Sequence, residues 1–190
     1  MRHCFANGLA SATSRLSNTP ASGTGIALRD VSACTIADLD PDRACRHISP
    51  ELIAGVSRRL EGRLTGSALF VVDPGDALLW LQREGATEEP LEHFVEWGCR
   101  VATAVAEELA AAWQAELACA DPVLEERPFM SALLGTHAPS DTVVLSLHGE
   151  LSFDVPGAGD LVAPFGVHLL LEPKVLAGIL AGLGSESDPE

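Results

Sequence analysis

Five polar side chains recur at helical spacing in the segment from residue 91 to residue 119, and those around Glu96 could act on a substrate or a partner. The row consists of Glu92, Glu96, Cys99, Thr103 and Glu107, at intervals of three or four residues. Since residues three and four apart share one side of an α-helix, these side chains are predicted to line one face. Carboxylates in such a row can accept hydrogen bonds from a cation or from a basic group of a partner.

The other side of the same segment carries the apolar stripe of a core-facing helix: Leu91, Val95, Gly98, Ala102, Val105 and Leu109. Glu96 and Cys99 are therefore predicted to lie side by side on the exposed face. A row of acids is also the ordinary solvated side of an amphipathic helix, and that interpretation stays open.

Other chemistry on this helix is less favoured. Glu92, His93 and Glu96 could touch one metal ion, but a second pair of ligands is missing, so the sequence predicts no metal site and no cofactor. A redox role for Cys99 is not favoured, because Glu92 and Glu96 should raise its pKa with only Arg100 opposing them. Trp97 is a candidate for partner binding, although helical tryptophans usually pack in a core or an interface.

The elements that must position this helix follow one order twice. The first half contains a helix over 2–17, a strand over 25–35, a short helix or loop over 38–45, a strand pair over 52–60 and 67–72, and a helix over 74–82 capped by Asp73. The second half contains the long helix over 91–119, a strand over 121–125, a helical turn over 129–134, strands over 142–155 and 166–171, and a helix over 173–183.

The last unit of each half is the clearest echo, since a buried strand, an acid and a proline recur at Pro74 and Pro173, 99 positions apart. A strand that is followed by an acidic residue, a proline and a helix is also common in unrelated proteins. The shared element order favours an α/β fold of the α+β type, a pseudo-two-fold layered domain with a largely antiparallel sheet and long helices packed on it. We expect one domain over 1–184, with halves of about 1–85 and 90–184 and a disordered tail over 185–190.

Composition excludes several partner classes. The chain has 190 residues and a formal net charge of −15, which disfavours nucleic acid and membrane surfaces as partners. Five cysteines without a zinc-type spacing are typical of a reducing cytoplasm. Residues 1–29 contain three arginines and no acid, a pattern shared by a first helix of the mature protein and by an organelle transit peptide. The helical pattern over 2–17 favours the first interpretation.

Three places in the chain carry a family resemblance. The sequence Glu96-Trp97-Gly98-Cys99 resembles the E-x-G-N core of the CheC/CheX/FliY motif, and the small residues from Gly8 to Ala12 are similar to the first helix of CheC proteins. The Gly62 and Gly149 regions resemble the paired strand turns of that family. The resemblance implies hydrolysis of the aspartyl phosphate of a CheY-type response regulator, with Mg²⁺ on the partner and not on this chain.

In that family the glutamate is understood to pair with a lysine of the regulator, while the asparagine amide orients the attacking water. The resemblance thus implies Glu96 and Cys99 as the catalytic pair, with Glu92, Trp97 and Thr103 around them as partner-binding residues. Cys99 departs from the pattern, because a thiol is a weak donor and a weak acceptor and cannot hold water as an amide does. Reduced catalysis or a purely binding role is expected.

The first helix would hold a second, degenerate site. An offset of 92 aligns Asn7 with Cys99, whereas an offset of 93 aligns His3 with Glu96 and Ala6 with Cys99. The apolar phase of the two helices agrees with the offset of 93, so this site is predicted to be lost.

Three functions therefore remain open: a CheC-like phosphatase with reduced activity, a non-catalytic binding or adaptor module of two-component signalling, and an unrelated small-molecule-binding domain. The first two imply a cytoplasmic protein, and a homodimer is possible for either. The third would need a deep apolar pocket with converging polar groups.

Overall fold

The computed structural model describes residues 24–83, 90–135, 139–155 and 159–178. The strands in these ranges are β1 (Thr24–Thr35), β2 (Ile53–Gly62), β3 (Gly66–Val72), β4 (Leu117–Cys119), β5 (Val123–Arg127), β6 (Val143–Val155) and β7 (Gly159–Leu171). The helices are a 3-10 turn (Ile36–Asp38), α1 (Pro41–Cys45), α2 (Pro74–Arg83), α3 (Pro90–Ala112) and α4 (Phe129–Leu134), and residues 173–178 are also helical.

All strand pairs are antiparallel, and the order across the sheet is β1-β6-β7-β3-β2-β4, with β5 also pairing with β2. The two halves of the chain contribute equivalent strands: β2 corresponds to β6, β3 to β7, and β1 to the β4–β5 edge. Exchanging each strand with its equivalent gives the same order read from the opposite edge of the sheet. At the centre, Leu69 pairs with His168, and these positions are 99 apart, like Pro74 and Pro173. The pseudo-two-fold axis passes through this pair, and the predicted fold class is confirmed.

Both faces of the sheet are covered, so the central strand β3 is buried and apolar without interruption from Ala68 to Val72. On one face Val56, Phe70 and Val72 pack against α2 and α3. On the other face Leu69 and Val71 pack with α1, α4 and the 3-10 turn. Successive residues of β3 thus enter opposite cores, as the two-residue period of a strand requires.

Helix starts follow the predicted capping. Oδ1 of Asp73 accepts a hydrogen bond from the Gly75 amide at 2.8 Å, with Pro74 as the first helical residue. Oδ1 of Asp40 accepts from the Asp42 amide at 3.1 Å at the start of α1. The predicted helix over 74–82 and the short helix within 38–45 are confirmed, as is the β2–β3 pair.

The prediction that the long helix reaches residue 119 is wrong. The helix ends at Ala112, and Gln114 adopts a left-handed φ of 49°. The Ala115 amide then donates to the Ala110 carbonyl at 2.8 Å, a closing bond typical of a helix C-terminus. Local helix propensity is overridden because residues 117–119 pair with the edge of β2.

Two strands also differ from their predicted limits. The strand expected over 121–125 lies two residues later, and β7 begins at Gly159 instead of residue 166. Pro164 is tolerated in β7 because the pairing with β3 ends at Phe165, so this stretch bonds to β6 on one side only.

The predicted first helix, the tail over 185–190 and the end of the last predicted helix lie outside the described residues. None of the helices in the described ranges combines the length and apolarity needed to cross a membrane.

Candidate functional site

The helix α3 is brought close to the sheet at Gly98. A Cβ atom added there would lie 2.8 Å from Cγ2 of Val56 and 3.0 Å from the ring of Phe70. Only a residue without a side chain allows this approach. The glycine of the E-x-G motif therefore fixes the depth at which α3 packs, and with it the height of Glu96 above the sheet.

Glu96 lies on the exposed side of α3, as predicted, with 57% of its side chain accessible. Its Oε1 accepts a hydrogen bond from Nη2 of Arg100 at 2.5 Å, one helical turn later. Exposed pairs of this kind contribute about 0.2–1 kcal/mol. The Glu96 carboxylate can therefore exchange Arg100 for a cation of a partner at small cost.

A cleft of about 490 Å³ opens beside this carboxylate. We call it the Glu96 cleft; it is lined by Arg58, Leu91, Glu92, Val95, Glu96, Cys99 and Pro122. The structure thus brings together three of the predicted site residues, Glu92, Glu96 and Cys99. Its walls come from α3, β2 and the turn before β5.

The predicted exposure of Cys99 is wrong. The residue is buried, with 9% accessible, and meets the Glu96 cleft only at its floor. The buried sector of α3 is wider than the apolar stripe, because Ala106 and Ala110 on the same flank are also buried and β4 packs beside them. Burial raises the pKa of the Cys99 thiol, Arg58 opposes the shift, and Cys119 and Glu96 add to it.

A raised pKa keeps Cys99 protonated at neutral pH, so it is neither a thiolate nucleophile nor an amide-like holder of water. The cation that opposes the shift is Arg58 on a neighbouring strand, whereas the sequence pointed to Arg100 on the same helix.

The predicted burial of Leu91 is also wrong. The residue was expected in the core and is 55% exposed. The first turn of α3 lies between the Glu96 cleft and a second, apolar cavity, and Leu91 lines both. Leu91 is exposed because an open cavity lies on each side of it.

Trp97 and Thr103 are placed differently from each other. The Trp97 ring is half-buried and meets the Phe70 ring edge-on at 5.3 Å between centroids, away from the Glu96 cleft. Thr103 is half-buried, and its Oγ1 accepts a hydrogen bond from Nη1 of Arg58 at 2.8 Å. Thr103 therefore adjoins the cleft, while Trp97 contributes to the core.

Sequence reasoning missed Arg58. It occupies a core-facing position of β2 between Val56 and Leu60, neither of which has any accessible surface. A charged residue in the apolar phase of a strand was the signal that could have identified it.

The degenerate first site, His3, Ala6 and Asn7, lies outside the described residues. Among the described residues, no three His, Cys, Asp or Glu side chains come together as potential metal ligands. The predictions of no cofactor and of Mg²⁺ on a partner stay predictions.

Comparison with solved structures identifies the fold. FliY of Thermotoga maritima superposes with a TM-score of 0.61 at 13% identity, covering 95% of this chain and 91% of that one. The FliM middle domain of H. pylori gives 0.55 at 13% identity, covering 95% and 94%. The chemotaxis protein CheX of Desulfovibrio desulfuricans gives 0.51 at 13% identity, covering 88% and 99%.

No protein-family model matches the sequence, and no curated protein matches it as a relative. The likeness is therefore one of structure, and at these identities it extends to the fold. It agrees with the resemblance at Glu96-Trp97-Gly98-Cys99. The chain has the fold of the CheC/CheX/FliY family.

Proposed function

We propose that this chain recognises the phosphorylated form of a CheY-type response regulator at the Glu96 cleft and hydrolyses its aspartyl phosphate slowly. The observation that carries the proposal is the position of Glu96: an exposed carboxylate on the long helix of a CheX-like fold, directly beside a cleft. Such a partner would place the protein in the cytoplasm, with Mg²⁺ bound by the regulator.

The charge of the site suits this partner. Glu92 and Glu96 at the rim attract a lysine, while Arg58 on the cleft wall attracts an anionic group. Hydrolysis of an acyl phosphate depends mainly on positioning and charge complementarity, and both can be supplied without a covalent step on this chain.

Weak hydrolysis follows from Cys99. A protonated thiol at the cleft floor cannot accept one hydrogen bond and donate another as strongly as an amide, so the attacking water is poorly held. The same observation favours a second candidate function, a binding module that sequesters the phosphorylated regulator without hydrolysing it.

The third function open from the sequence, small-molecule binding, has less support. The cavity of about 300 Å³ between α2, α3 and the β2–β5 edge is apolar, and among the described residues of its lining Glu126 alone is ionisable. Ligand sites usually add several converging polar groups to an apolar cavity.

The decay of a phosphorylated CheY-type receiver domain tests the proposal. We expect the wild-type protein to accelerate decay weakly, Glu96→Ala to abolish the acceleration, and Cys99→Asn to increase it. Glu107→Ala is the matched control, because Glu107 is an exposed glutamate of the same helix that does not line the cleft.

Binding without acceleration, lost in Glu96→Ala, would favour the module over the phosphatase. No binding to any CheY-type receiver of the same organism would overturn both.

A further inference from the structure

Arg58 is held in place by the protein rather than extended into solvent. Its Nε donates a hydrogen bond to the Ala120 carbonyl at 2.9 Å, and its Nη1 donates to Oγ1 of Thr103 at 2.8 Å. Ala120 follows β4, and Thr103 lies on α3. The guanidinium therefore has a fixed orientation between the helix and the edge of the sheet, and Arg58 is one of the residues that line the Glu96 cleft.

The charge of Arg58 has no counter-ion among the described residues. Both of its hydrogen-bond partners are neutral oxygens, and none of the ion pairs in the described ranges includes it. A half-buried cation with only neutral partners loses hydration without full compensation. Arg58 is thus a cation without an ion-pair partner in a cleft whose other charged lining residues, among those described, are Glu92 and Glu96, and it is the group there that could bind an anion.

We propose that Arg58 binds the phosphoryl group of the partner, donating hydrogen bonds from Nη2 while Glu96 engages a neighbouring cation of the same partner. This inference rests on the proposed function and names the group that reads the phosphorylation state. An anchored guanidinium is suited to this role, since its planar donors match phosphoryl oxygens and little side-chain freedom remains to be lost on binding.

The assignment also accounts for a site in which Cys99 cannot replace an amide. A fixed cation at the cleft wall stabilises the negative charge of a phosphoryl group whether or not water is well oriented. Recognition of the phosphorylated state and its hydrolysis thus depend on different residues, Arg58 for the first and position 99 for the second.

Binding of a CheY-type receiver domain, with and without beryllofluoride and Mg²⁺, tests the inference. We expect Arg58→Met to weaken binding of the beryllofluoride-loaded domain roughly tenfold to a hundredfold, the range for a lost charge-assisted hydrogen bond. Binding of the unloaded domain should change by less than about twofold, which is within ordinary surface effects. Arg59→Met is the matched control, because Arg59 is the adjacent arginine of β2 and does not line this cleft.

Arg58→Lys guards against loss of the fold, since it keeps the charge and most of the aliphatic stem. We expect it to bind the loaded domain more weakly than wild type and more tightly than Arg58→Met. Equal weakening of loaded and unloaded domains by both variants would make Arg58 structural and overturn the inference.

The two proposals fail in different ways. If wild type and Arg59→Met bind the loaded domain, Glu96→Ala does not, and both Arg58 variants bind normally, the inference is wrong and the proposed function stands. If wild type binds neither form of any receiver, the proposed function fails first.

Discussion

The centre of the sheet and its β2 edge treat ionisable groups in opposite ways. On the α1–α4 face His168 is fully buried, with Nδ1 2.9 Å from Oγ of Ser146 and its ring 4.9 Å from the Phe129 ring. Burial, with a smaller contribution from His148, lowers the pKa of His168 to about 3. On the α3 face, Arg58 and Glu96 border a cleft that is open to solvent.

The difference comes from position in the sheet rather than from residue type. His168 lies on the central strand pair at the pseudo-two-fold axis, where α1 and α4 seal the face. Arg58 lies on β2, where the neighbouring strands are short and the first turn of α3 leaves a gap. His168 at the sealed centre is neutral and structural, while Arg58 and Glu96 beside the gap can meet a partner.

The dependence of the free energy of unfolding on pH tests this comparison, and it is the largest of the expected effects. The pKa of His168 is lowered from 6.5 to about 3 in the folded chain, so its contribution is fully present above pH 6.5. Below that pH the unfolded chain binds a proton that the folded chain does not. Stability then falls by about 1.4 kcal/mol per pH unit, or about 2 kcal/mol at pH 5.

Burial also lowers the pKa of His148, whose Nε2 donates to the Ala44 carbonyl at 2.6 Å, so its contribution has the same sign. Urea unfolding at pH 7.5 and pH 5 measures the sum. His168→Leu, which places at this position the residue found at its pseudo-two-fold partner Leu69, should reduce the slope. An unchanged slope in His168→Leu would show that the fall has another source.

The packing depth of α3 gives a second test. Gly98→Ala should destabilise the fold by about 1 kcal/mol, because an overpacking cost of about 1–3 kcal/mol exceeds the gain of about 1 kcal/mol in helix propensity. At Gly178 an added Cβ would meet nothing within 4 Å, so Gly178→Ala should stabilise slightly. Thermal unfolding of the two variants checks the sign. Two shifts of the same sign would mean that α3 does not depend on its close approach at Gly98.

Local patterns predicted the elements that local chemistry determines. The β2–β3 pair, the Asp73-capped helix α2 and the outward position of Glu96 all depend on neighbours within a few residues. The pseudo-two-fold order was also accessible, since Pro74 and Pro173 repeat it in the sequence.

Contacts between distant segments determined what the sequence did not predict. The end of α3 depends on residues 117–119 pairing with β2, and the burial of Cys99 depends on the width of the layer beneath the helix. A helical wheel gives the direction of a side chain but not how far the packed layer extends around it. The apolar phase of β2 singles out Arg58 in the sequence, but its place beside Thr103 and the Glu96 cleft depends on how β2 packs under α3.

The smallest expected effect, that of Glu96→Ala on stability, tests most directly whether Glu96 differs from the buried groups at the centre of the sheet. Glu96→Ala removes an exposed carboxylate whose partner Arg100 is equally exposed, so the free energy of unfolding should change by less than about 1 kcal/mol. Urea unfolding measures it beside Glu107→Ala, another exposed glutamate of α3. A loss above about 2 kcal/mol would make Glu96 a structural residue like those of the sealed face. A small change, with receiver binding abolished in the same variant, would mean that the Glu96 carboxylate beside the gap serves to bind a partner and not to stabilise the fold.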